Sequence, residues 1–145
     1  MIRKEAYRWR PERRRRGSLE NPIHIHAVQT LLLLGVPGLI WWHTPNEGKR
    51  STRSAAFLKR MGMLPGVADL TIVLPGGKAH FLELKREVGG ALSENQRAFR
   101  DLCEANGSPY EVATTPEEVQ SVLTRWGALR TVTPEAARNT IKRAA

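Results

Sequence analysis

Residues 66–87 read GVADLTIVLPGGKAHFLELKRE, and the fold turns on this stretch. Two apolar runs, DLTIVL (69–74) and AHFLEL (79–84), flank Pro75-Gly76-Gly77-Lys78. Apolar and β-branched residues on either side of a Pro-Gly turn predict a hairpin. A core hairpin has little use for charge, yet this one has Asp69 at the start of its first strand and Glu83 and Lys85 at the end of its second. Side chains alternate across a strand, so Glu83 and Lys85 share a face. Pairing across a short turn brings Asp69 near residues 83–85, with the register left open.

Two carboxylates that close in a partly buried site repel each other, and they stay ionised cheaply only with a cation between them. All-oxygen ligation without a Cys/His cluster suits Mg²⁺ or Mn²⁺. A lysine beside them can orient an attacking water or offset charge building on a phosphate. The competing reading is a solvated ion pair at a hairpin end.

Outward from the hairpin, the pattern predicts a helix from Glu20 to Leu34, with Ile25, Val28, Leu31 and Leu32 as its apolar face, ended by Gly35-Val36-Pro37-Gly38. A strand follows in LIWWHT (39–44), and Ser51 caps a short basic helix through Met61. After the hairpin, Ser93-Glu94-Asn95-Gln96 has the form of a capping box and opens a helix to about Asn106, stopped by Gly107. YEVAT (110–114) reads as a strand, and Thr115-Pro116 starts a last helix through Trp126. A small basic helix from Pro134, or nothing fixed, is expected beyond Gly127. The order predicts an α/β fold whose mixed sheet is flanked by helices.

The 145 residues suffice for one domain with a real core. Charged residues are 26% and hydrophobic ones 41%, the balance of an ordinary globular chain. The arginine-rich start lacks the apolar core of a secretory signal, and AVQTLLLLGVPGLIWW is too short and too broken for a membrane span. The single Cys103 excludes an internal disulfide and favours a reducing, cytoplasmic setting. Of the net charge of +9, residues 1–19 supply +6, from eight basic side chains against two acidic ones. Such an arm, with Arg13, Arg14, Arg15 and Arg16 in a row, meets phosphate backbones or merely solubilises the terminus.

D-x(13)-E-x-K on a hairpin is the PD-(D/E)XK nuclease pattern. The span from Glu20 to Trp126 resembles the VRR-NUC (virus-type replication-repair nuclease) family. The resemblance is carried by Glu20 with His24, H-T-P-N-E-G-K-R (43–50), L-K-R-M-G-M-L-P-G-V-A-D-L (58–70), F-L-E-L-K (81–85) and G-x-L-S-x-x-Q (90–96). It implies a restriction-endonuclease-like core of α-β-β-β-α-β order, with the residue 51–61 helix inserted after the first strand. It divides the chain into a basic arm (1–19), a nuclease domain (20–127) and a basic tail (128–145). Asp69 and Glu83 would hold Mg²⁺ or Mn²⁺ with the Leu84 carbonyl, and Lys85 would be the catalytic lysine. Gln96 would join the site, although a glutamine there also completes a capping box. Glu20 would serve a second ion, or simply favour its helix start.

Three positions depart from the family pattern: Ala68 for the usual proline, Glu47 for a glycine, and His24 where glutamine is common. The resemblance further implies a metal-dependent DNA endonuclease, acting as a homodimer on branched, Holliday-junction-like DNA in phage or bacterial replication and repair. A flap or single-strand-end nuclease is the alternative, as is a DNA-binding protein that keeps the fold without turnover. A helicase or other replication partner is a further expectation. Asn46, Lys49, Arg50, Arg53, Lys59 and Arg60 are the expected contacts to DNA beside the arm.

Other signals are discounted. His24-Ile25-His26 matches the H-apolar-H signature of rolling-circle nickases, but lies in helical periodicity. Gly76-Gly77-Lys78 is a turn, not a P-loop. Cys103 is expected to be structural. Trp41 and Trp42 are expected in or near the core, with base stacking open to either if exposed.

Overall fold

The computed structural model describes residues 21–45, 51–88 and 90–131. Four strands, β1 (Ile40–His43), β2 (Leu70–Val73), β3 (Ala79–Leu84) and β4 (Tyr110–Ala113), form one sheet in that order. β1–β2 and β2–β3 are antiparallel and β3–β4 is parallel, so the sheet is mixed. The parallel pair is joined through helix α3 (Glu94–Ala105), because parallel neighbours need a crossover. Helices α1 (Pro22–Leu34), α2 (Thr52–Arg60) and α4 (Pro116–Arg125) complete the order α1-β1-α2-β2-β3-α3-β4-α4.

The hairpin register pairs Leu70 with Leu82 and Val73 with Ala79. Leu70, Ile72, Leu82 and Leu84 therefore point to one face, where they pack with α1 and α4 around Ala27, Leu31, Val119 and Leu123. Leu70, Ile72 and Leu82 are fully buried; each contributes roughly 1.5–3 kcal/mol by leaving water. The opposite face is smaller. There Phe81 and Tyr110 meet Ala68, Phe99 and Cys103 under α3, with Phe81 edge-on to Phe99 at 5.0 Å. Cys103 is buried in this cluster, as expected of a structural thiol.

Local capping chemistry starts three of the four helices as expected. Ser51 accepts from the Ser54 N–H, Thr115 from Glu118, and Ser93 forms the full capping box with Gln96.

Two expectations are corrected. α1 buries Ile23, Ala27, Thr30 and Leu31, while Ile25 and Leu32 of the expected apolar face are exposed. The helix is apolar almost all round, so its own pattern carries little preference for a face, and packing against α4 and the sheet decides. Trp42 is also outside the core at 47% exposure, whereas Trp41 packs against the main cluster. Trp41 pairs with Ile72 and shares its face; Trp42 pairs with Thr71 and points to the opposite face, that of Phe81. The expected helix from Pro134 lies outside the described residues. Among those described, no helix is long and apolar enough to cross a membrane.

Candidate active site

Continuing the hairpin register by one pair beyond Leu70–Leu82 sets Asp69 opposite Glu83 at the open end. Asp69 is held there by its side chain, whose Oδ2 accepts the Leu84 N–H at 2.8 Å, and by its carbonyl, which accepts the Thr44 N–H at 2.9 Å. The first bond ties β2 to the end of β3, and the second ties it to the end of β1. Three strand ends are thus locked around one residue.

Glu83 projects toward α3 from β3, and its side chain is only 3% exposed. One oxygen, Oε1, accepts from Gln96 Nε2 and lies 3.2 Å from Lys85 Nζ. The other, Oε2, is buried with no hydrogen-bond partner. A buried carboxylate oxygen left without a donor costs about 1–3 kcal/mol or more, so its persistence points to a missing positive group. Burial, and next the charge of Asp69, push the Glu83 carboxyl up from 4.5 to about 7, and the Lys85 ammonium only partly offsets them.

Gln96 connects the catalytic candidates to the fold. Its Oε1 accepts from Lys85 Nζ at 2.8 Å and from the Ser93 N–H at 2.9 Å, while its Nε2 donates to Glu83. The capping-box and site readings of Gln96 are therefore the same side chain in the same conformation. Two glycines allow this close packing. A Cβ on Gly66, which has φ +80°, would strike the backbone of Asn95 and Gln96. One on Gly90 would strike Arg86 and the Lys85 side chain.

Lys85 also lines a cavity of about 310 Å³ with Arg86, Glu87, Thr114 and the first residues of α1. Tyr110, beside Phe81 on the parallel strand, has a buried hydroxyl with no partner. Burial, then the Glu83 charge, raise its pKa and keep it neutral.

The structure thus brings Asp69, Glu83, Lys85 and Gln96 together, with Leu84 between them in the chain. Arg53, Lys59 and Arg60 are exposed on α2, a helix with no buried residue. Glu20, Arg13, Arg14, Arg15, Arg16, Asn46, Lys49 and Arg50 lie outside the described residues. One feature was missed. His24 of α1 and His43 of β1 each place a ring nitrogen within 4.8 Å of the other and of an Asp69 carboxylate oxygen. The only sequence signal was the parity of His43, whose neighbour Leu70 adjoins Asp69; reading it needs the strand order.

A model of the VRR-NUC domain family matches residues 20–116, well over half of the chain. A solved structure titled "VRR_NUC domain protein" is similar at 20% identity and a TM-score of 0.61, covering 79% of this chain and 92% of that one. A second, titled "VRR_NUC domain", is similar at 17% identity and a TM-score of 0.50, covering 71% of this chain and 91% of that one. At these identities the likeness is one of fold, and it agrees with the mixed α/β architecture. No curated protein matches the chain.

Proposed function

The chain belongs to the VRR-NUC domain family, whose domain is of nuclease type, and from that premise we propose a divalent-metal-dependent endonuclease acting on DNA. The observation that carries this reading is the orphaned, buried Glu83 Oε2 beside Asp69, with Lys85 and Gln96 occupying the other oxygen. The donor set is hard oxygen, which fits Mg²⁺ or Mn²⁺ held by Asp69, Glu83 and the Leu84 carbonyl. Such an ion supplies Lewis-acid stabilisation of charge at a phosphate.

The chain's own residues do the rest. Hydrolysis joins a water oxygen to phosphorus and breaks the bond to the leaving sugar oxygen. The Lys85 ammonium, held beside Glu83 by Gln96, meets the growing negative charge or orients the water. Gln96 keeps Lys85 and Glu83 in one fixed arrangement, so little reorganisation is needed on reaction. Exposed Arg53, Lys59 and Arg60 present cations to the phosphate backbone, as Lys49 and Arg50 would. Branched DNA cut by a homodimer is the substrate reading that the family resemblance favours; a helicase or other replication factor would then deliver the substrate.

The test is a panel of end-labelled four-way junction, flap, single-stranded and linear duplex DNA with Mg²⁺, Mn²⁺ or EDTA. Metal-dependent cutting is expected, strongest on the junction. Equal cutting of all forms would overturn the branched-DNA reading, and preference for flaps or free ends would replace it. Binding without cutting in every metal would overturn the nuclease itself.

A further inference from the structure

We propose that His24, His43 and Asp69 form a second cation site, one with imidazole ligands, adjoining the Glu83 side of the cleft. The site would take a first-row transition ion such as Zn²⁺ or Mn²⁺ rather than Mg²⁺. It rests on the nuclease reading only in sharing Asp69.

Three elements distant in sequence converge here: the first turn of α1, the last residue of β1 and the residue before β2. One donor atom from each lies within 4.8 Å of the other two. The two rings meet edge to face, with centroids 4.4 Å apart and planes at 89°. Metal–nitrogen bonds of about 2.1 Å place two ligands of one ion about 3–3.5 Å apart. Small rotations of side chains suffice to close the set, and His43, being exposed, has room to make them.

The tautomer of His43 is set for ligation. Its Nδ1 lies 3.0 Å from the Asp69 carbonyl oxygen. A carbonyl only accepts, so Nδ1 carries the proton, and Nε2 is the nitrogen a cation would take from the neutral ring. A histidine whose other nitrogen donates to a backbone carbonyl is the usual oriented form of a metal ligand. The same carbonyl accepts the Thr44 N–H, which fixes the end of β1 against Asp69. The Asp69 carboxylate commits Oδ2 to the Leu84 N–H, and its second oxygen gives it a further lone pair to offer a cation.

Ligand chemistry selects the ion. Mg²⁺ prefers oxygen and gives up its waters reluctantly. Imidazole suits the borderline transition metals, which outcompete Mg²⁺ at nitrogen. A carboxylate between two sites can bridge ions about 3.5–4 Å apart, and Asp69 is the residue between the imidazole pair and Glu83. The half-exposed setting gives an ion a way in.

The test uses Mn²⁺ alone, added to the full chain without DNA and read by pulsed electron paramagnetic resonance, which detects ¹⁴N of a directly bound imidazole. Wild type is expected to show ¹⁴N coupling. His43→Ala, at an exposed position, should lose it while unfolding at an unchanged temperature without metal. Glu83→Gln should retain it. In calorimetry, Zn²⁺ affinity should fall at least tenfold in His43→Ala. No ¹⁴N coupling in wild type, or coupling unchanged in His43→Ala, would overturn the site. DNA cutting in Mg²⁺ with no ¹⁴N coupling would sink this proposal and leave the nuclease standing; coupling in a protein that cuts no DNA would do the reverse.

Discussion

Replacing Glu83 with Gln removes the one buried acid at the hairpin's open end while keeping its shape. In metal-free protein the Glu83 carboxyl titrates near 7 instead of 4.5, from burial and then from the neighbouring Asp69. An acid raised on folding favours the folded state while it is protonated. That contribution is fully present below about pH 4.5 and is lost as pH rises through 7, because the unfolded chain releases its proton first. At about 1.4 kcal/mol per pH unit, the whole window is worth about 3 kcal/mol, of which about 2 lie above pH 5.5. Urea unfolding in EDTA at pH 5.5 and pH 8 measures it. The stability of Glu83→Gln relative to wild type should improve by about 2 kcal/mol on going to pH 8. Mn²⁺ at about a hundred times the dissociation constant of the Asp69–Glu83 site should then shift the difference back toward wild type by about 2.7 kcal/mol. A difference between the two proteins that is the same at both pH values would refute the reasoning.

Other outcomes follow from the same geometry. Gln96→Ala removes the link between Lys85 and Glu83 as well as half of the capping box, whereas Ser93→Ala removes the cap alone. Both should cost about 1 kcal/mol in thermal or urea unfolding, but only Gln96→Ala should cut the cleavage rate by tenfold or more. Gly66→Ala should destabilise by more than 1 kcal/mol and impair cleavage together, because the α3 start must back away from the hairpin. His80 is buried beside Trp126, and desolvation lowers its pKa below 6.5. A depressed histidine stabilises the fold above its unfolded pKa and loses that contribution as pH falls through its folded one. His80→Gln should therefore flatten the acid limb of the stability profile, read by thermal unfolding between pH 4 and 7.

The features legible in the sequence were those that local chemistry decides. Ser51, Ser93 and Thr115 announced helix starts because a hydroxyl cap satisfies donors one turn away, and Pro75-Gly76-Gly77 announced the hairpin because its turn admits little else. The convergence of Asp69 on Glu83 followed from that turn. Whatever depended on distant packing stayed hidden. Leu31-Leu32-Leu33-Leu34 offers no polar contrast, so the buried face of α1 awaited α4. Trp41 and Trp42 are adjacent and alike, and only the register of β1 on β2 separates them. The His24–His43 pair required knowing that β1 lies beside β2 and under the start of α1. The close approach of Gly66 to the Gln96 backbone became visible only once α3 was in place.

The central claim is that the hairpin's open end does the chemistry, and single-turnover cleavage of a labelled four-way junction in Mg²⁺ tests it most directly. Wild type would be run beside Lys85→Ala and Asp69→Asn, with junction binding measured in Ca²⁺ or EDTA. Cleavage lost by a hundredfold or more in both variants, with binding within a few-fold of wild type, is the predicted result. Cutting that survives in either variant would contradict it and place the reacting groups elsewhere on the chain.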